Sequence, residues 1–183
     1  MRERFVVVTG GPGAGKTTLI DRLAAAGFAR SAEAGRGVIT DQLAIGGRAL
    51  PWADRALFAE LMLSWELRSY HQARDLTGTV IFDRGLPDII GYLRLNDLPV
   101  PEHVHTAAQR FRYRSRVLLA PFWPEIYHQD SERKQSPAEA ERTCQHVAAA
   151  YVDYGYELVR LPHSSVEERV RFVLDELAGQ RNR

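Results

Sequence analysis

The sequence predicts a three-layer α/β domain, a five-stranded parallel sheet with helices on both faces. Three observations predict it. Short apolar runs of strand length alternate with helical runs along the whole chain. Gly10–Thr17 reads G-x-x-x-x-G-K-T and joins the first strand to the first helix. The 183 residues suit one domain, 1–183, with little room for a second.

The Gly-rich stretch is the phosphate-binding P-loop pattern. Its glycines let backbone N–H groups approach phosphate oxygens. Lys16 adds a point charge for the β- and γ-phosphates, and Thr17 offers a hydroxyl to Mg²⁺ at a helix N-terminus that already favours anions. Gly11, Pro12, Gly13, Ala14, Gly15, Lys16, Thr17 and Thr18 are therefore the residues expected around a nucleotide's phosphates.

The elements follow in order. Arg4–Thr9 is a β-branched strand, and Thr18–Ala26 a helix that Gly27 ends. Phe28–Glu33 reads as a short second strand with Glu33 at its C-terminal end. A helix over Arg36–Leu43 runs to Gly46-Gly47, with Gly35 and Gly37 flanking its start. After Pro51, Trp52–Arg74 is a long helix with Leu57, Leu61, Trp65 and Leu67 among its apolar positions; Trp65 fits the core. Thr79–Phe82 is the third strand and runs into Asp83-Arg84-Gly85. Helices follow over Asp88–Leu95 and Glu102–Phe111, then a fourth strand over Arg116–Ala120. Residues 122–136 are irregular and lid-like. Pro137 opens a helix that continues over Ala138–Tyr154, Tyr156–Leu161 is the fifth strand, and a capping box at Ser165–Glu168 starts the last helix. By analogy with P-loop proteins of this size, the expected strand order is 2-3-1-4-5.

Composition sets the setting. The net charge of +1 gives no reason to expect nucleic acid or an anionic membrane. No apolar run reaches membrane-spanning length, and no signal peptide precedes the first strand. The single cysteine, Cys144, fits a helix face and a reducing cytoplasm. The six histidines show no metal-ligand spacing with it.

Four further positions carry chemistry. Asp83 ends an apolar strand where P-loop proteins place an acid on Mg²⁺ or its waters, so Thr17 and Asp83 are the expected metal residues. The next residue is Arg84, where motor ATPases usually carry a hydrolytic Glu. That favours transfer to an acceptor over hydrolysis. The Asp-Arg pair is also similar to that of nucleoside and nucleotide kinases, whose arginine contacts phosphate or acceptor; pairing with Asp88 is the plainer role. Glu33, at a strand end facing the P-loop, could serve as base for an acceptor hydroxyl. It could equally favour the dipole of the next helix. Arg133, with Lys134 behind it, lies in the lid-like stretch and could reach the transferring phosphoryl. Trp123 and Tyr127 beside it could stack on a substrate or nucleotide. Arg110, Arg112, Arg114 and Arg116 alternate as a basic run that reads mainly as solvated surface.

The motifs V-V-V-T-G-G-P-G-A-G-K-T-T-L, S-A-E-A-G-R, I-F-D-R-G, D-S-E-R-K and Y-G-Y-E-L-V together resemble the NadR-like P-loop ATPase/kinase family, AAA-type domains related to ribosylnicotinamide kinase. The resemblance covers nearly the whole chain. It implies a kinase-like fold, ATP and Mg²⁺. It places Lys16 and Thr17 on phosphate and metal, Glu33 and Arg36 as an acidic-basic pair after the second strand, Asp83 as the strand-three acid and Arg133 as a lid arginine. Arg36 and Arg84 are then the expected substrate contacts.

The first expectation is an ATP-dependent kinase acting on a nucleoside- or nucleotide-like small molecule. The alternative is a nucleotide-regulated ATP- or GTP-binding protein with slow hydrolysis and no acceptor. The absence of an N/T-K-x-D motif weighs against a GTPase switch. A homo-oligomer is left open.

Overall fold

The computed structural model describes residues 2–126 and 136–179. Five strands form one sheet: β1 (Phe5–Gly10), β2 (Ala29–Arg30), β3 (Val80–Asp83), β4 (Arg116–Ala120) and β5 (Glu157–Arg160). Their order is β2-β3-β1-β4-β5 and all pairings are parallel, as the sequence predicts. β1 lies in the centre, with Val8 opposite Asp83 on one side and Leu118 on the other.

Among the described residues seven α-helices flank the strands: α1 (Lys16–Ala25), α2 (Ala34–Ile45), α3 (Arg55–Asp75), α4 (Leu86–Leu95), α5 (Glu102–Arg110), α6 (Pro137–Asp153) and α7 (Val166–Gly179). The sheet's alternation splits the core in two. Val6, Val8 and Ile81 face Leu19, Leu23, Val173 and Leu177 of α1 and α7. Phe5, Val7 and Phe82 face the opposite layer, built from α2 to α6. Among the described residues no helix is long and apolar enough to cross a membrane.

Local chemistry sets the boundaries. The Asp54 side chain caps α3 by accepting from the Leu57 N–H at 3.0 Å. Ser136 and Glu139 form a reciprocal capping box ahead of Pro137. The capping box read at Ser165 is present before α7, with Glu168 N–H donating to Ser165 Oγ at 3.3 Å.

Some expectations need correction. The second strand shrinks from Phe28–Glu33 to two residues. The Ser31 hydroxyl receives the Asp83 N–H and ends the ladder. α2 starts at Ala34, so Glu33 is its N-cap residue and Gly35 and Gly37 lie inside the helix. Gly37 is small because α3 is close: a Cβ there would lie 2.4 Å from the Trp65 ring. α1 begins at Lys16, two residues early, because the P-loop passes directly into its first turn. The core face of α3 is Phe58, Ala59, Met62, Leu63, Glu66, Tyr70 and Ala73, whereas Leu57 is exposed. Arg116 is a strand residue paired with Glu157 and Glu176, and Arg112 stacks on Tyr156.

Candidate phosphoryl-transfer site

The site lies at the C-terminal edge of the sheet, where parallel α/β folds bind ligands. β1 delivers the chain into the P-loop at Gly10. No other residue fits there: φ is +132°, and a Cβ would lie 2.1 Å from the Ala120 carbonyl oxygen of β4. Gly15, at φ 76°, turns the loop into α1. Thr17 and Thr18 follow in the first helical turn, both exposed. Arg169 of α7 braces the loop from below. Its Nη1 donates to the Ala14 carbonyl at 2.7 Å, while its guanidinium covers the Trp123 ring.

Lys16 is buried under the loop and donates to the Gly11 and Gly10 carbonyls at 2.6 and 3.1 Å. Burial, helped by the nearby Arg84 charge, lowers its pKa to about 8. Asp83 ends β3 beside it. Its Oδ1 is buried with no partner among the described residues. Burial, and then the Glu33 charge, push its pKa up to about 6.

Arg84 ties the two halves of the site together. Its backbone is left-handed, at φ 73°, a strained conformation for a side chain of this size. The Arg84 N–H donates to Val8 O at 3.0 Å. Its Nη1 donates to the Gly10 carbonyl of the P-loop at 2.9 Å and to Asp88 Oδ1 at 3.1 Å, and its Nε to Glu33 Oε1 at 3.0 Å. Arg84 is therefore an internal bridge, and its pairing with Asp88 is the plainer of the two roles read from the sequence. Its partners hold it firmly charged: burial opposes the cation, but Glu33, Asp88 and Asp83 outweigh burial. Burial also opposes the Glu33 carboxylate, yet Arg84, Lys16 and Arg36 leave its pKa below the ordinary value. Arg36 lies 3.7 Å from Glu33.

The sequence offered Asp88 only as a partner for Arg84; the structure makes that pair and adds three more donors. Asp88 accepts from Thr9 Oγ1 at 2.6 Å, the Gly85 N–H at 3.0 Å, Tyr151 OH at 2.7 Å and Arg84. One carboxylate thereby links β1, the β3–α4 turn and α6. A second sequence signal is its place three residues after Gly85, where an N3 acid satisfies a helix start. Glu66, in the middle of α3, was invisible in the sequence, since it reads as a solvated charge.

Lys16, Glu33, Arg36, Asp83 and Arg84 are thus brought together, with Thr17 at the loop's exit. Arg133 and Lys134, with Tyr127, lie outside the described residues. Trp123 stacks flat on His163 at 5.1 Å between ring centres.

The comparisons with known proteins agree with this fold. Deoxyadenosine kinase from M. mycoides, solved with dCMP and dCDP, has a TM-score of 0.71 at 14% identity, over 96% of this chain and 99% of that one. Thymidylate kinase from Candida albicans gives 0.66 at 12%, over 99% and 93%. NadR in complex with NR gives 0.67 at 19%, over 95% of this chain and 50% of that one. No curated protein matches the sequence. The AAA domain family matches residues 5–169, from the first strand to the arginine that braces the P-loop, and the chain belongs to that family.

Proposed function

We propose that the chain is an ATP-dependent small-molecule kinase, moving the γ-phosphoryl of ATP to a hydroxyl of a nucleoside- or nucleotide-like acceptor. One observation carries this reading. Arg84 binds the P-loop carbonyl of Gly10 with one nitrogen and the Glu33 carboxylate with another. The residue after the strand-three acid is thus a bridge from the phosphate loop to a second carboxylate, in place of a Glu that would polarise water. The names of the structural neighbours, kinases of nucleosides and nucleotides, support it.

P-loop amides and Lys16 hold the β- and γ-phosphates, and Lys16 exchanges its carbonyl partners for phosphate oxygens. Thr17 and Asp83 fit Mg²⁺: a buried carboxylate oxygen without a partner and a raised pKa are what a missing cation would relieve. When bound, the ion neutralises charge on the bridging phosphate oxygens. Glu33, kept ionised by Arg84, accepts the hydrogen bond of the acceptor hydroxyl and aligns its oxygen with the γ-phosphorus. In a loose transition state, such alignment supplies most of the catalysis. Arg36, half-exposed beside Glu33, is placed to contact the acceptor.

The test is incubation with γ-labelled ATP and a panel of nucleosides, nucleotides and other phosphorylatable metabolites. A labelled product is expected. Tight ATP binding with no labelled acceptor would remove the kinase reading and leave the nucleotide-regulated binding protein.

A further inference from the structure

One buried carboxyl is left over from this network. Glu66 is 2% exposed, and its Oε2 has no hydrogen-bond partner among the described residues. Asp88 of α4, Asp83 and Arg84 at the end of β3, and Glu33 at the entry to α2 all act on it electrostatically. Glu66 in turn acts on Tyr113, which precedes β4 and receives the Leu86 N–H through its hydroxyl. Helix geometry explains the placement. Met62 and Glu66 are one turn apart on the same face of α3, and Met62 Sδ would lie 3.5 Å from a Cβ on Gly35 of α2. The carboxyl therefore stands between the entry to α2 and the start of α4. These elements carry the groups that flank the acceptor in the kinase reading.

We propose that Glu66 is a specificity-determining residue of the acceptor site, its carboxyl hydrogen-bonding an uncharged polar edge of a nucleoside-like acceptor. The inference rests on the kinase reading above. Packing alone does not call for an acid here, since the rest of this face is Phe58, Ala59, Met62, Leu63, Tyr70 and Ala73. An apolar residue would fill the space without a desolvated, unpartnered oxygen. Burial, and then the charges of Asp88 and Asp83, push its pKa well above the ordinary carboxylate value. A neutral carboxyl presents a donor beside an acceptor, which matches a ring or amide edge carrying the opposite pair.

The test uses the full chain, γ-labelled ATP, and the common ribonucleosides and deoxyribonucleosides with their monophosphates. Labelling of one nucleoside-like acceptor in preference to the others is expected. Glu66→Leu should raise KM for that acceptor about tenfold or more, the loss of one hydrogen bond, and leave KM for ATP unchanged. Its Tm should rise, because a buried unpartnered carboxyl has gone. Glu66→Gln keeps a donor beside an acceptor and should restore most of the affinity. An unchanged acceptor KM in Glu66→Leu, an equal rise for ATP, or a Gln variant as impaired as Leu would each overturn the inference while leaving the kinase reading intact. No labelled product from the wild type, with ATP still bound, would instead remove the kinase reading and this inference together. Should Glu66→Leu fail to fold, Glu66→Met carries the same comparison.

Discussion

The two faces of one sheet are built from different chemistry. Below it, α1 and α7 close an aliphatic layer of Val6, Val8, Leu19, Ile20, Leu23, Ile81, Leu118, Val159, Leu161 and Val173. Above it, the layer of α2 to α6 is aromatic and partly charged. Phe5, Phe82 and Tyr113 meet edge-on or tilted around Tyr70. Tyr70, Tyr113, Tyr151 and Tyr156 each spend their hydroxyl on a named partner. Glu66 and Asp88 are buried there too. The aliphatic face supports the P-loop mainly through shape, joined by the hydrogen bond from Arg169 to the Ala14 carbonyl. The aromatic face reaches the site through hydrogen bonds, which fix direction as well as distance. Stability is therefore expected to dominate on one face, and site geometry on the other.

Replacements on the two faces test that division. The largest effect is expected from Asp88→Ala, which leaves Arg84, Tyr151, Thr9 and the Gly85 N–H without their shared acceptor. Breaking such a buried charge network costs about 3–5 kcal/mol. Urea denaturation should show it, and transfer by the folded fraction should collapse with it. Leu19→Ala on the aliphatic face should cost a similar about 2–4 kcal/mol through its cavity. Here kcat and both KM values of the folded protein should stay at wild-type levels. If kcat falls with Leu19→Ala as it does with Asp88→Ala, the division of labour is wrong.

Asp83 gives a pH-dependent version of the comparison. Its folded pKa lies above the ordinary value, so between about pH 4 and pH 6 the native state binds more protons than the unfolded chain. Without nucleotide, its contribution to stability should fall as pH rises through that window, then level off. Asp83→Asn should flatten the dependence and raise stability at pH 7 by about 1–3 kcal/mol, measured by denaturation across pH. The same variant should lose transfer activity, and wild-type activity should show an acidic limb near pH 6. A pH-independent stability difference between the two would place Asp83 outside any desolvated site.

The smallest effect is expected from Tyr151→Phe, which removes one donor from Asp88 and keeps the ring. It should cost about 1–2 kcal/mol. It should also lower kcat more than an aliphatic change of equal cost, because Asp88 orients Arg84.

The legible part of the site was the part held by consecutive residues. Gly10–Thr17 needs no distant partner to announce itself, because positive-φ glycines and a Lys-Thr pair at a helix start are a local requirement. Asp83 and Arg84 were readable for the same reason, as the end of an apolar strand. Glu33 was found as a residue but misplaced as a strand end: the ladder stops early, when Ser31 takes the Asp83 N–H. Asp88 could be seen only as a partner for Arg84, and Glu66 not at all. A buried acid on a helix has the same spelling as a solvated one, and only the packing of α3, α4 and α6 tells them apart.

The sequence by itself determined the alternation of strand and helix, the P-loop, the acid that follows the third strand and the arginine in place of a hydrolytic Glu. These are local, set by periodicity, turn chemistry and φ. Only the tertiary structure decided that Arg84 joins the P-loop to Glu33, that Asp88 gathers four donors, and that Glu66 is buried with an oxygen to spare. These depend on which groups lose water together, and burial is a property of the packed layers.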